Sequence, residues 1–394
     1  MNDAFVSFRR DFPAFADCTY LNLAGRGLLS RTTRRALDAG FDQQMLGSVD
    51  KGAWKAAADD ARAGFARIVH ARPAEIACMK NVSDGLNALA TALPWAPGDN
   101  AVVCTAFDHP NAAYAWLNLR RLGVELRETP LLADGSIDTA RMLRAVDGRT
   151  RMVAVSSVNF LTGARAELGE IGTHCRRHGV FFLVDGAQST GVLDLDVEAA
   201  CVDGWCASAN KGLLGPYGVG LLYCHEEWAA TMHPCYLSRF GIDAGELPES
   251  EMGPQHYALY AGARRFEVGN ANWAGLMAVA ASMAQLLILG TATIEVRAVE
   301  LATRLSQGLL EAGFNVPRPE RHDLRSHIVA VHGGVHGEKG VAALDAALRA
   351  HRIVFSRRLG AIRFGLHAYN DEIDVDRVVD LARLVQRSPQ GYFR

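Results

Sequence analysis

Residues 180–184 form an unbroken apolar run, Val-Phe-Phe-Leu-Val, bounded by Gly179 and Gly186 and ending at Asp185. The run is too short for a helix of its own and does not alternate with polar residues. That is the pattern of a strand buried on both faces, as in a parallel sheet covered by helices on each side. Asp185 falls at its carboxyl end, where open α/β sheets place their ligands. Two more apolar segments follow. Trp205–Ser208 leads to Lys211, and Val219–Tyr223 comes after a Gly/Pro turn, Gly215-Pro216-Tyr217-Gly218.

The first two thirds of the chain alternates the two periods. Apolar spacing of three and four predicts helices over 32–47 and 53–69, and strands are expected at 101–107, 124–129 and 151–158. Helices are expected at 111–121 and 170–178, with Gly179 as a stop. Such alternation predicts a doubly wound α/β domain. No GxGxxG follows the first strand, so nicotinamide binding has no support. Residues 225–260 lose periodicity and read as loops and short helices around the site. Helices are expected again at 273–289, 294–311 and 374–385, with strands and one helix between 314 and 369. The expected organisation is an N-terminal arm (1–19) packing with a small domain, a large α/β domain (20–265), and that small α+β C-terminal domain (266–394).

With 394 residues the chain can bury two cores. A net charge of −2 leaves no nucleic-acid footprint. No apolar run approaches the roughly eighteen residues of a membrane span, and the start MNDAFVSFRRDF lacks the apolar centre of a signal peptide. A cytoplasmic location is the expectation. The eight cysteines form no CxxC pair, and none follows position 235. His332, His336 and Glu338 bracket Gly333-Gly334 and read as a flexible loop, so no metal is expected.

Lysine is rare here: 51, 55, 80, 211 and 339 are the only positions, and Lys211 alone lies between buried-looking segments. A lysine there is paired, neutral or covalently used, because an isolated buried ammonium is costly. Two readings stay open on local sequence: a stem that is buried while the head snorkels out, or a Schiff-base lysine.

Asp185-Gly-Ala-Gln188 followed by Ser208-Ala-Asn-Lys211-Gly resembles the pyridoxal 5'-phosphate (PLP) site of the class V aminotransferase superfamily, and within it the cysteine desulfurase, selenocysteine lyase and isopenicillin-N epimerase group. The likeness runs from Tyr20 to about Arg383. It implies a PLP-dependent fold type I enzyme acting on an amino acid, as a homodimer with a shared active site. Lys211 would hold PLP, Asp185 would face the ring nitrogen and His109 would stack on the ring. Gln188 and Asn159 would face the ring hydroxyl. Ser83, read as the N-cap of a helix, would hold the phosphate with the backbone at Asp84, since a helix N-terminus suits an anion. Ser208 and Asn210 match phosphate-side positions. Asn210 replaces the histidine common in desulfurases, and Asn270 replaces the threonine that in most relatives reaches the partner's phosphate. Arg363, in Ala361-Ile-Arg363-Phe-Gly-Leu-His-Ala-Tyr-Asn370, would clamp the substrate carboxylate. Arg26, Arg357 and Arg358 are further candidates for the site mouth, and would suit a substrate with a second anionic group.

The resemblance leaves the reaction open. Epimerisation, β-elimination and transamination all begin with loss of the α-proton. Desulfurases carry a mobile cysteine before the carboxylate arginine, and here that segment, Ile353-Val-Phe-Ser-Arg-Arg-Leu-Gly360, is short and has none. The first reading is therefore C–S lyase-type β-elimination or epimerisation without a persulfide cysteine. An aminotransferase is the alternative, and a non-catalytic PLP-fold binding or sensing protein is the alternative of another class.

Overall fold

The computed structural model describes residues 3–387 except 246, 248, 254 and 256. A short strand, β1 (Thr19–Tyr20), precedes a seven-stranded sheet. Its strands are β2 (Ile76–Met79), β3 (Asn100–Val103), β4 (Glu125–Glu128), β5 (Thr150–Ser156), β6 (Phe181–Asp185), β7 (Gly204–Ser208) and β8 (Gly220–Cys224). The order is β2-β8-β7-β6-β5-β3-β4. All neighbours pair in parallel except at β8, which runs antiparallel to both β7 and β2. The apolar run at 180–184 is thus the middle strand of the sheet, buried at every position. The strands expected at 101–107 and 151–158 end earlier, at 103 and 156. The freed residues turn into the site.

Period-two alternation assigns side chains to faces. One face, with Phe182, Val184 and Trp205, packs with Phe65, Leu276 and Val279. The other, with Phe181, Leu183, Met152, Ala154 and Cys206, is covered by two helices, α4 (Val82–Ala92) and α5 (Pro110–Asn118). They follow α1 (Asp3–Arg10), α2 (Arg31–Met45) and α3 (Lys51–Val69).

A second core gathers around β9 (Ile328–Val331), β11 (Ser356–Arg358) and β12 (Ala361–Gly365), a sheet ordered β11-β12-β9. The two-residue β10 (Ile353–Val354) pairs instead with β1. This core begins at Leu301 and also takes in Leu21. Trp273–Leu289 and the first half of Thr291–Glu311 bury their apolar residues in the first core. The division expected at 265/266 therefore falls about one helix too early. The arm is a helix, α1, whose Phe5 and Phe8 enter the first core while Arg9 reaches Asp374 (2.7 Å) and Asp371 (3.3 Å). The segment 225–260 holds one short helix and single turns, with positions 246, 248, 254 and 256 outside the described residues. No single helix among the described residues is long and apolar enough to cross a membrane.

Tight packing sits directly behind Asp185. A Cβ at Gly186 would lie 2.1 Å from Trp205 Nε1, which donates to Thr190 Oγ1 at 2.9 Å. Gly186→Ala is expected to displace the indole and cost about 1–3 kcal/mol, the usual range for overpacking, seen as a lower urea midpoint of the apoprotein. An unchanged midpoint would contradict this packing.

Candidate active site

Three strand ends place polar side chains on one sheet face. Ser156, Asp185 and Ser208 continue the alternation of Ala154, Leu183 and Cys206, so they point toward the α4/α5 side. Ser156 and Asp185 are direct neighbours across β5 and β6. Both helices begin at this edge. His109 is the N-cap of α5, its Nδ1 accepting from the Asn111 N–H at 3.2 Å. The N-cap of α4 is Asn81, whose Oδ1 accepts from the Asp84 N–H at 2.9 Å, so Ser83 sits inside the first turn and the expected cap moves by two residues. Asparagine caps as well as serine, and here it is the residue that leaves the strand region. Asn81 lies against Gly220, where a Cβ would meet its backbone at 2.6 Å. Gly220 in turn pairs with Ser208. The positive end of α4 and Ser208 therefore come together, and the buried Ser208 hydroxyl has no hydrogen-bond partner among the described residues.

Lys211 follows β7, and burial lowers its amine to about 8, with Asp185 opposing the shift. Burial raises the Asp185 carboxyl, against one hydrogen bond from the Ala187 N–H (2.8 Å) and the charge of Lys211. His109 is pushed down to about 4 by burial and by Lys211, Arg363 and Arg358, so it is a neutral ring at ordinary pH. Phe160 meets it edge-on, with centroids 5.6 Å apart.

Asp108 is the residue that the sequence displayed but assigned no role. Its Oδ1 accepts from Ser156 Oγ and from the His109 N–H, both at 2.7 Å. Burial and Asp185 raise its carboxyl to about 7. The visible signal was a carboxylate beside a histidine at a strand end.

Arg363 on β12 is buried, donating from Nε to Ser356 Oγ (3.1 Å) and from Nη1 to the Phe160 carbonyl. No carboxylate pairs with it among the described residues, and burial lowers its guanidinium to about 10. Arg357 does not join it. Ser356 pairs with Arg363 and Arg358 with Ala361, so the pleat sends Arg357 to the other face, where it borders a surface hollow with His332 and Lys339. Arg358 takes the site side instead. Arg26 is exposed on a loop held against the site: the Gly27 N–H donates to the Asn210 carbonyl (2.8 Å), and Gln188 Nε2 to the Ala24 carbonyl (3.1 Å). Asn159 is largely committed to backbone, accepting from Leu161 and Thr162 and donating to Ala106.

Asn270 stands apart. Glu267, bonded to Arg62 and to the Cys78 N–H, anchors the preceding turn. Asn270 then projects, exposed, into a cavity of about 490 Å³ shared with Trp54, Lys80, Asp84 and Trp273 but not with Lys211. Among the described residues no three His, Cys, Asp or Glu side chains gather as a metal would need. The His336 side chain is outside that description.

These groups fit PLP. The unsatisfied Ser208 hydroxyl and the α4 N-terminus would take its phosphate, Asp185 its ring nitrogen, His109 its face, and Lys211 its aldehyde. Residues 46–378 match the family described as Aminotransferase class-V. The chain belongs to the class V aminotransferase family. As a family member it is a PLP-dependent enzyme of fold type I. It is 28% identical to a probable cysteine desulfurase of Methanothermobacter thermautotrophicus, over 93% of this chain and 94% of that one. Among solved structures it resembles a cysteine desulfurase of Thermococcus onnurineus (TM-score 0.84, 22% identity, 97% and 98% covered). It also resembles the cystine C-S lyase C-DES (TM-score 0.83, 25% identity, 94% and 99% covered).

Asp108 gives this class V family member a pH dependence. A carboxyl raised to about 7 in the fold is neutral there while its unfolded counterpart, near 3.8, is ionised. The stability it contributes is full below about pH 4 and lost as pH rises through about 7. Asp108→Asn keeps an acceptor for Ser156 and removes the charge. The apoprotein variant is expected to gain on wild type by roughly 1 kcal/mol or more between pH 5 and 8; a difference flat with pH in urea melts would refute it.

Proposed function

We propose that this enzyme breaks the bond between Cβ and a leaving group, most simply a C–S bond, in an amino acid, with no persulfide held on the protein. The observation that carries the reading is the hairpin before Arg363. β11 and β12 are joined by Leu359 and Gly360, with φ of 47° and 82°. That is the tight two-residue turn of twisted strands, not a mobile loop. It has no thiol, and all eight cysteines lie at or before position 235. Cys206 and Cys104 are the thiols close to Asp185 and Asp108. Burial raises both, Cys104 to about 12, so neither offers a thiolate at neutral pH. A leaving group freed at Cβ departs into solution. The likeness to the cystine C-S lyase C-DES supports the same reading.

PLP, when bound, supplies the electron sink that makes the substrate's α-proton removable. The chain does the rest. Arg363, pre-oriented by Ser356 and Phe160, binds the α-carboxylate through its free Nη2 edge, which gives its buried charge a partner. Asp185 would hold a proton at the ring nitrogen, and neutral His109 would hold the ring in place by stacking on its face. Lys211 Nζ, lowered to about 8, takes the α-proton. The Cβ–leaving-group bond then breaks, with its electron pair going to the leaving group. Two copies of the chain form the working unit, each lending Asn270 to the other's phosphate pocket.

Incubated with an S-alkyl cysteine, the holoenzyme is expected to yield thiol, ammonia and pyruvate in equal amounts. Lys211→Ala should lower kcat roughly 10²–10⁴-fold, the contribution of a positioned base. An inverted amino acid without pyruvate would replace elimination by epimerisation, and amino transfer to an added keto acid would replace it by transamination.

A further inference from the structure

The site-facing side of the β11–β12 hairpin carries two guanidinium groups, and only one has an assigned partner. Arg363 is held by Ser356 and Phe160 and awaits a carboxylate. Arg358 pairs across the turn with Ala361, two residues along β12 from Arg363 and on the same face. Two residues of strand span about 7 Å. Arg358 is exposed, its bond goes to the Arg357 carbonyl (2.9 Å), and it pairs with no carboxylate among the described residues. Its charge nevertheless acts on Lys211, His109 and Arg363, lowering all three. A cation that disfavours its neighbours' protonation, and that has no carboxylate of its own among the described residues, adds positive potential to the site, opposed at Lys211 by Asp185 and Asp108.

Most groups of the site already have a role, and Arg26, the other exposed arginine beside it, sits on the loop held by Asn210 and Gln188 rather than on the hairpin. The α4 N-terminus and Ser208 take the phosphate, Asp185 the ring nitrogen, and Arg363 the α-carboxylate. Arg358 remains. We propose that Arg358 is a specificity residue and that the substrate is an amino acid whose β-substituent carries a negative charge. Arg358 and Arg363 are diagonal neighbours on one face of the hairpin, their backbones roughly 7–8 Å apart, so both side chains can reach one small amino acid that carries a second anion on, or just beyond, the leaving atom. The rigid turn at Leu359-Gly360 holds this spacing. Arg357, on the opposite face, takes no part. The inference rests on the reading of Arg363 as the carboxylate site.

The test uses holoenzyme with two substrates of similar size, S-carboxymethyl-cysteine and S-ethyl-cysteine, and an unreactive pair, succinate and butyrate, followed by calorimetry. Wild type is expected to favour the carboxymethyl compound. Arg358→Ala should cut the ratio of the two kcat/KM values about tenfold or more, through KM, as loss of a charge-assisted contact does. Arg358→Lys should restore part of it, and added salt should weaken the preference. Succinate should bind wild type more tightly than butyrate, and Arg358→Ala should erase that difference. A substrate ratio and a succinate preference both unchanged in Arg358→Ala would overturn the proposal. If neither compound is eliminated but the succinate preference still depends on Arg358, the elimination reading falls and the anion subsite stands. If Arg363→Ala leaves succinate and butyrate binding as in wild type, the carboxylate site itself is misplaced and the inference falls with it.

Discussion

A carboxylate at the end of a fully buried strand is the constraint from which the site follows. Asp185 is placed there by the alternation of β6, and its desolvation is answered by one backbone hydrogen bond and by Lys211 at the end of the next strand. Because parallel neighbours share their facing, Ser156 and Ser208 point the same way. Helices α4 and α5 cover that same face, so both expose their N-termini at this edge. One periodicity thus delivers a proton-binding carboxylate, an unsatisfied hydroxyl and two positive helix ends to a single patch.

Burial holds two groups of the patch in their neutral forms. His109 is driven down and Asp108 up, so neither is charged at moderately acid pH, while Lys211 and Asp108 both titrate within reach of physiological pH. Opposed shifts of this kind, produced mostly by burial, are a familiar property of reactive sites. They arise here because the groups lie where strands end and loops close over them.

Much of this was legible in the chain itself. The run at 180–184, the spacing from Asp185 to Lys211 and the helix at 273–289 are local patterns, and local patterns survive folding. What escaped depends on partners distant in sequence. Ser83 and Asn81 are both good caps, and only the approach of Gly220 shows which one stands at the strand exit. Arg357 and Arg358 are adjacent and chemically identical, and only the register with Ala361 and Ile362 separates them. The start of the second core at Leu301 was hidden because the helix Thr291–Glu311 crosses from one core to the other without a break in its pattern. Asp108 was readable as a carboxylate, but its pairing with Ser156 spans 48 residues.

The contact between Gly27 and the backbone of Lys211 bears on how the protein is made. A Cβ at Gly27 would lie 2.4 Å from the Lys211 carbonyl, so the two chain segments touch with nothing between them. The same N-terminal stretch is fixed by Tyr20 to Asn370, by Leu23 to Gly365 and by Leu21 to Val354. Residues 20–27 therefore cannot reach their final place until residues 354–370 have been made. Lys211 acquires its complete surroundings only once these two distant segments have met, so a chain cut short before them leaves the candidate site unfinished.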